Sequence, residues 1–267
     1  MKLKKHSIIH LPRPFNIMLV IIMMFISCKK NQNTKKEVPQ QITLKKLENS
    51  PLYSDAVLKL KELDSTSYSG KDTVHFDFEV KNYRLGAQTE STNTNALANS
   101  KKGQHIHFIL NNQPYSAHYS PNFKKDIPNG VNHLVAFLSR SYHESVKNEN
   151  SVVVRKLITG SNTPDSTKLD ISAPTIIYSR PKGTYSGKDT ERILLDFFVL
   201  NTSISKNGNK VKVTINDSEF LVTEWAPYTI LGLPLGKTTI GLELIDAEGN
   251  LIPGPFNKVT RTITLVE

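Results

Sequence analysis

Apolar and polar residues alternate along most of the chain, and this alternation predicts its secondary structure. The clearest apolar runs in the first half are Phe76, Phe78, Val80; Ile106, Phe108, Leu110; and Leu134, Ala136, Leu138. A period of two is the spacing of side chains on one face of a β-strand. Pairs of turn-forming residues, Asn111-Asn112 and Asn216-Asp217, follow such runs and precede a returning run, which predicts β-hairpins. The pattern therefore predicts an all-β protein made of short strands.

An internal repeat organises these strands into two groups. The hexapeptide Tyr68–Thr73 recurs unchanged at Tyr185–Thr190, and similar apolar runs follow each copy. Such a repeat indicates two related structural units. Each unit would hold about seven short strands, the pattern of an immunoglobulin-like or fibronectin-like β-sandwich. The predicted boundaries are 52–160 for the first sandwich domain, 161–171 for a linker and 172–267 for the second domain.

The first 27 residues have the pattern of a secretory signal. Four basic residues and no acidic ones are followed by an unbroken apolar run, Ile17–Ile26, which is too short to span a bilayer. The run ends at Phe25–Cys28, which resembles the lipobox of bacterial lipoproteins. The resemblance implies a signal peptide at 1–27, lipidation of Cys28, and a polar tether at 28–51.

The second repeat also resembles a C-terminal module of uncharacterised Bacteroidetes envelope lipoproteins. The segments that carry the resemblance are Tyr178–Gly183, Leu194–Phe197, Trp225–Tyr228 and Gly254–Asn257. The resemblance implies a lipid-anchored protein of the cell envelope and no known chemistry. The residues after Cys28, Lys29–Gln32, lack the acidic cluster of a surface-export signal. We therefore expect an outer-membrane lipoprotein that faces the periplasm, held to the membrane by its lipid anchor.

Charge and cysteine content exclude several classes of function. The chain of 267 residues has a formal net charge of +10, and removal of the four basic residues of the signal lowers it to +6. The remaining Lys and Arg residues are spread along the chain and alternate with acids, so we expect no nucleic-acid partner. A single cysteine excludes an internal disulfide and a Cys-based zinc site.

Histidines are concentrated in the first predicted domain and suggest metal chemistry. Because Ile106 and Phe108 face the core, His105 and His107 should face outward on the same strand. A hairpin turn centred on Asn112-Gln113 would place His118 directly opposite His107. With His133 as a possible fourth ligand, these imidazoles predict a solvent-accessible site for a divalent metal, with copper favoured over zinc. The alternative is a solvated polar sheet face that binds no cofactor.

Four further residues are candidates for ligand binding. Arg140 and His143 lie in the polar segment Ser139–Ser145, and we expect them to bond to the backbone or to a ligand. Serines in this segment lack the glycines of a nucleophile elbow, so we predict no catalytic residue. Trp225 and Tyr228 could form an aromatic platform, or Trp225 could close the core of the sandwich.

These features predict a binding or structural accessory protein rather than an enzyme, because sandwich domains supply loops and faces and no catalytic set is evident. Its partner would be an unknown protein or a glycan. Two alternatives remain open from the sequence. One is a copper- or zinc-binding lipoprotein that uses the histidines of the first domain, and the other is a carbohydrate-binding module.

Overall fold

The structure is a computed structural model that describes residues 41–61, 73–160, 165 and 167–267. The signal peptide 1–27, Cys28, most of the first hexapeptide and most of the 161–166 part of the linker lie outside the described residues. No helix within the described ranges is both long and apolar enough to cross a membrane.

Sixteen strands and one short α-helix are found in the described part of the chain. In chain order they are β1 (Thr43–Lys46), β2 (Val57–Leu60), β3 (Thr73–Lys81), α1 (Asn93–Ala96), β4 (His105–Leu110), β5 (Ser116–His118), β6 (Asn122–Asp126), β7 (Gly130–Ser139), β8 (Val152–Thr159), β9 (Thr175–Arg180), β10 (Thr184–Ser186), β11 (Ile193–Leu200), β12 (Lys210–Ile215), β13 (Ser218–Val222), β14 (Tyr228–Leu231), β15 (Gly236–Ile245) and β16 (Lys258–Val266). Short 3₁₀ turns lie at Glu149–Ser151 and Gly187–Thr190.

The first sandwich consists of a three-stranded sheet, in the order β2-β3-β6, and a four-stranded sheet, in the order β5-β4-β7-β8. The facing sides of the two sheets bury the apolar residues whose alternation predicts these strands. Phe76 from β3 and Phe108 from β4 pack edge to face with ring centroids 4.8 Å apart, and Leu134 of β7 is fully buried beside them. Burial of these large side chains is the main stabilising term for this half of the molecule.

The second sandwich pairs a four-stranded sheet, β1-β14-β11-β9, with a five-stranded sheet, β10-β16-β15-β12-β13. Phe197, Val213 and Leu242 are fully buried between the two sheets. The predicted all-β fold of tandem β-sandwiches is therefore confirmed.

The N-terminal strand corrects one prediction. Residues 28–51 were expected to be a polar tether, but β1 is an ordered edge strand that pairs antiparallel with β14 from Thr43↔Leu231 to Lys46↔Tyr228. Leu44 packs against the core of the second sandwich, so burial of an apolar side chain fixes this segment.

A third apolar cluster, which we call the seam, lies where the outer face of β4 and β7 meets the outer face of β9 and β11. Ile109 and Phe137 come from the first sandwich, and Ile177 and Phe198 come from the second. The rings of Phe137 and Phe198 stack with centroids 5.2 Å apart. Residues Pro39–Glu267 consequently form one compact unit.

Candidate metal centre

The seam buries the histidines that the sequence placed on an exposed face. His105 and His107 do point away from the first core, as the alternation predicts, but neither has any solvent-exposed surface. The prediction of a solvent-accessible site is therefore wrong. Its physical cause is that the outer face of β4 is covered by the second sandwich, and an alternating pattern does not reveal what covers a face.

The hairpin register removes His118 from the predicted site. The backbone N–H of Gln113 donates to the carbonyl oxygen of Leu110, so the turn centres one residue earlier than expected. The returning strand then has one extra residue, so that Ile106 pairs with His118 and His107 with Ala117. Because a shift of one residue moves a side chain to the other face of a sheet, His118 packs over Phe123, with ring centroids 3.5 Å apart.

His133 is also separate from the other histidines. It lies on the outer face of β7, and its ring stacks on Phe256 of the second sandwich, with centroids 5.4 Å apart. The grouping of His105, His107, His118 and His133 is therefore not the one that the fold assembles.

The fold instead brings His143 to His105 and His107. The Nε2 atom of His105 lies 2.9 Å from Nε2 of His107 and 3.1 Å from Nδ1 of His143. One nitrogen from each of the three rings falls within 4.8 Å of the other two. The sequence predicts His143 as a ligand-binding residue, but no local pattern joins it to the histidines of β4.

The segment after β7 holds His143 in place. Arg140 forms a buried ion pair with Glu144, with Nη1 and Oε1 3.0 Å apart, and also donates to the carbonyl oxygens of Ser145 and Pro51. Arg140 is thus held by one carboxylate and by backbone carbonyl groups. His143 has a φ of 72°, a left-handed conformation that is uncommon for a residue other than glycine and is often found at functional sites.

A hydrogen bond to the backbone fixes which nitrogen of His105 carries its lone pair. Nδ1 of His105 lies 2.8 Å from the carbonyl oxygen of Gly103. A carbonyl oxygen can only accept, so Nδ1 carries the proton and Nε2 directs its lone pair into the cluster. Nδ1 of His107 lies 3.1 Å from Oγ of Ser179 in β9, which leaves its Nε2 to face the same point.

Burial keeps these imidazoles neutral. Desolvation lowers the pKa of His105 to about 4 and holds the pKa values of His107 and His143 well below their usual range. The positive charges of Arg180 and Lys182 act in the same direction on all three pKa values. At neutral pH the cluster therefore offers uncharged nitrogen donors, which is the form that binds a metal.

Two of the three nitrogen–nitrogen distances suit a transition-metal ion. A metal 2.0–2.1 Å from each imidazole nitrogen in tetrahedral geometry would separate the nitrogens by about 3.3 Å, and the two shortest contacts are a few tenths of an ångström less than this. The widest pair, within 4.8 Å, would have to move closer together on binding. Tyr115 closes one side of the cluster. Its ring stacks on His107, with centroids 3.5 Å apart, and its Oη lies 3.1 Å from Nδ1 of His143.

Trp225 and Tyr228 have separate surroundings. Trp225 donates from Nε1 to the carbonyl oxygen of Phe197, 3.1 Å away, and packs edge-on against Phe198 in the seam. Tyr228 is half-buried in β14, and its hydroxyl donates to the carbonyl oxygen of Glu224. Trp225 thus packs at the boundary between the two sandwiches. That Trp225 and Tyr228 form an aromatic platform for a ligand stays a prediction.

Comparisons with known proteins find similarity at the level of the fold. No family model and no curated protein matches the sequence. Among solved structures, the fibronectin(III)-like modules of Clostridium thermocellum CbhA are 11% identical, with a TM-score of 0.28, and cover 79% of this chain and 94% of their own. The glycan-binding protein SGBP-B of Bacteroides ovatus, solved with a mixed-linkage heptasaccharide, is 8% identical, with a TM-score of 0.24, and covers 78% of this chain and 70% of its own. At these low TM-scores we take no function from either protein.

Proposed function

We propose that this chain is a metal-binding protein of the cell envelope that holds one divalent transition-metal ion with His105, His107 and His143. The observation that carries the proposal is the crowding around Nε2 of His105. This nitrogen has one lone pair and can accept one hydrogen bond, yet nitrogens of two other rings lie within 3.1 Å of it. A metal ion would bind all three nitrogens at once, whereas a hydrogen bond can join Nε2 of His105 to only one of its two neighbours.

The geometry favours binding over catalysis. A catalytic metal keeps an open coordination position that substrate can reach. Here His105 and His107 are fully buried, and Tyr115 stacks on His107 with its hydroxyl beside His143. We therefore propose a non-enzymatic role in holding or transferring the metal.

Imidazole ligands suit copper and zinc, and the Irving–Williams order favours copper(II) on affinity. Metal-binding imidazoles are usually oriented by a hydrogen bond at the ring nitrogen that does not bind the metal. The carbonyl oxygen of Gly103 makes this bond to His105, and the hydroxyl of Ser179 makes it to His107. The proposal therefore names copper first and zinc second.

The test is a calorimetric titration of the full chain with Cu(II) and with Zn(II) at pH 7.5. We expect one site with a dissociation constant below about 10 µM and, for Cu(II), electron paramagnetic resonance coupling to three nitrogens. His143→Gln should weaken binding at least tenfold. His118→Gln should bind as the unmodified chain does, because His118 lies on the other face of its hairpin.

The result that overturns the proposal does not depend on any variant. If the folded, unmodified chain binds neither ion more tightly than about 10 µM, the three imidazoles are a packing cluster only. Equal loss of binding in His143→Gln and His118→Gln would likewise contradict the assigned ligand set.

We further propose that the protein acts at the membrane, anchored by lipid at Cys28 and facing the periplasm from the outer membrane. The support is the signal pattern of 1–27 and the resemblance of Phe25–Cys28 to a lipobox. Several acyl chains would anchor the protein stably. A Cys28→Ala variant that still sediments with membranes would contradict the anchor, and protease treatment of intact cells tests the face.

A further inference from the structure

A group of three positive charges lies beside Tyr115, on β9, β16 and the turn after β9. Arg180 and Arg261 are each 8% exposed, and Lys182 is half-buried. Among the described residues, no carboxylate lies within 4 Å of any of the three. Buried charges are ordinarily paired, because removing an ion from water costs several kcal/mol.

Neutral partners hold these groups without balancing their charge. Nη1 and Nη2 of Arg261 each lie 3.1 Å from a carbonyl oxygen, of Ser179 and Asn112 respectively. Its guanidinium also lies over the ring of Tyr178, 4.3 Å from the centroid. Two carbonyl groups and a ring fix the orientation of Arg261 but contribute no negative charge.

Arg180 lies over the ring of Tyr115, 5.3 Å from the centroid, and is less completely satisfied than Arg261. Its Nη1 donates to the hydroxyl of Tyr185, 2.9 Å away. Its Nε is buried and has no hydrogen-bond partner among the described residues. An unpaired donor on a side chain that is more than nine-tenths buried is an uncommon feature of a folded protein.

Lys182 brings a mobile donor to the same place. Its Nζ donates to the carbonyl oxygen of Tyr115, 2.7 Å away, and lies 3.8 Å from the centroid of the Tyr115 ring. An ammonium group has three N–H donors, so two remain for a ligand. Burial, together with the charges of Arg180 and Arg261, lowers the pKa of Lys182 to about 8.

A cavity opens next to these charges. It has a volume of about 280 Å³ and is lined by Lys182, Arg261, Gln113 and the hydroxyl-bearing residues Thr260 and Thr262, among others. This volume is close to the lower end of the range for small-molecule sites. The side-chain amide of Gln113 complements the two cations in the recognition of oxygen-bearing anions, whereas Thr260 and Thr262 line the cavity from the opposite face of β16 from Arg261.

We infer that this cavity is a binding site for a small oxyanion, a carboxylate or phosphate group, held by Lys182 and Arg261. The bound anion would also balance the charge of Arg180. None of the three imidazoles of the proposed metal centre lines the cavity.

The experiment uses the full chain in the presence of a chelator, so that a bound metal cannot capture the anion. Inorganic phosphate and succinate are titrated separately by calorimetry, with chloride adjusted to keep the ionic strength constant. We expect binding of at least one probe with a dissociation constant below 1 mM, corresponding to about −4 kcal/mol. Binding of phosphate alone, of succinate alone or of both identifies the source of the oxyanion.

Two lysine variants decide whether the binding belongs to this cavity. Lys182→Met keeps the apolar stem and removes the charge, and we expect at least tenfold weaker binding. Lys237→Met makes the same change at an exposed position and should alter binding less than twofold. If neither probe binds the unmodified chain with a dissociation constant below about 1 mM, or if Lys182→Met binds as well as Lys237→Met, the inference is wrong.

Discussion

His133 is a buried imidazole whose two ring nitrogens have no hydrogen-bond partner among the described residues. It is 2% exposed, and its ring stacks on Phe256 across the boundary between the two sandwiches. Burial alone lowers the pKa of His133 to about 4, because a charged ring there would lose its hydration without gaining a partner. The residue is therefore neutral in the folded protein at pH values where the unfolded chain begins to protonate.

This difference makes folding stability depend on pH. The unfolded histidine has a pKa of about 6.5, so between pH 6.5 and pH 4 the unfolded state binds more protons, and the free energy of unfolding falls as the pH falls. At pH 5 the expected loss from His133 is about 2 kcal/mol relative to pH 7.5. His133→Leu should be free of this loss.

The measurement is urea unfolding of both proteins at pH 7.5 and pH 5 in the presence of a chelator. The stability of His133→Leu relative to the unmodified chain should rise by about 2 kcal/mol on acidification. A difference that is the same at both pH values would show that His133 takes up a proton as readily in the folded state as in the unfolded one.

The histidines also show which properties of a residue the sequence can predict. Alternation with Ile106 and Phe108 correctly placed His105 and His107 on the face of β4 opposite the first core. The same pattern could not predict their burial, because the covering residues, such as Ser179, lie more than 70 positions away in the chain. Local periodicity determines the face, and tertiary packing determines what lies against it.

The hairpin of β4 and β5 illustrates the corresponding limit for a structural element. Its strands were predicted, but its register was not. Asn111 and Asn112 both adopt positive φ angles, of 50° and 54°, and make a tight turn that starts one residue earlier than expected. Between this turn and the pair Phe108↔Ser116, the returning strand has one residue more than the outgoing strand. A single extra residue inverted the face of His118, whereas the second hairpin, with Ile215↔Ser218 around Asn216-Asp217, follows the predicted two-residue turn.

The segment between β7 and β8 depends on one carboxylate of the second sandwich. Asp196 of β11 is fully buried and accepts hydrogen bonds from the backbone N–H and the hydroxyl of Ser145, at 3.1 and 3.0 Å. It also pairs with Lys147, whose side chain is only 13% exposed. Since Ser145 and Lys147 follow His143 closely, Asp196 helps to position a proposed metal ligand on the other sandwich.

Asp196→Ala should therefore be strongly destabilising. The substitution leaves Lys147 buried without a counter-charge and Ser145 without an acceptor, and we expect a loss of about 3–5 kcal/mol in the free energy of unfolding. Glu243→Ala is the matched control, because it breaks more exposed ion pairs with Lys212 and Lys258 and should cost less than about 1 kcal/mol. Chemical denaturation measures both, and equal losses would contradict the anchoring role of Asp196.

The two sandwiches are joined by more than the linker between them. Phe137, Ile177 and Phe198 share one apolar cluster, and the bond from His107 to Ser179 crosses the same boundary. Burial of these large apolar side chains stabilises the protein only while both sandwiches are folded and in contact. Unfolding either sandwich alone would expose the seam, so that the stability of each half depends on the other.

We accordingly expect the chain to unfold in one cooperative transition. Trp225, the single tryptophan, packs at the seam against Phe198, so its fluorescence reports separation of the sandwiches, while circular dichroism reports the strands of both. The two midpoints should coincide in thermal unfolding.

Phe137→Ala should lower both midpoints together, by an amount corresponding to about 3–5 kcal/mol. Leu221→Ala, at a position that is 62% exposed, should change stability by less than about 0.5 kcal/mol. A fluorescence transition that precedes the loss of strand signal in the unmodified chain would mean that the sandwiches separate before they unfold, and that the seam contributes little to the stability of either.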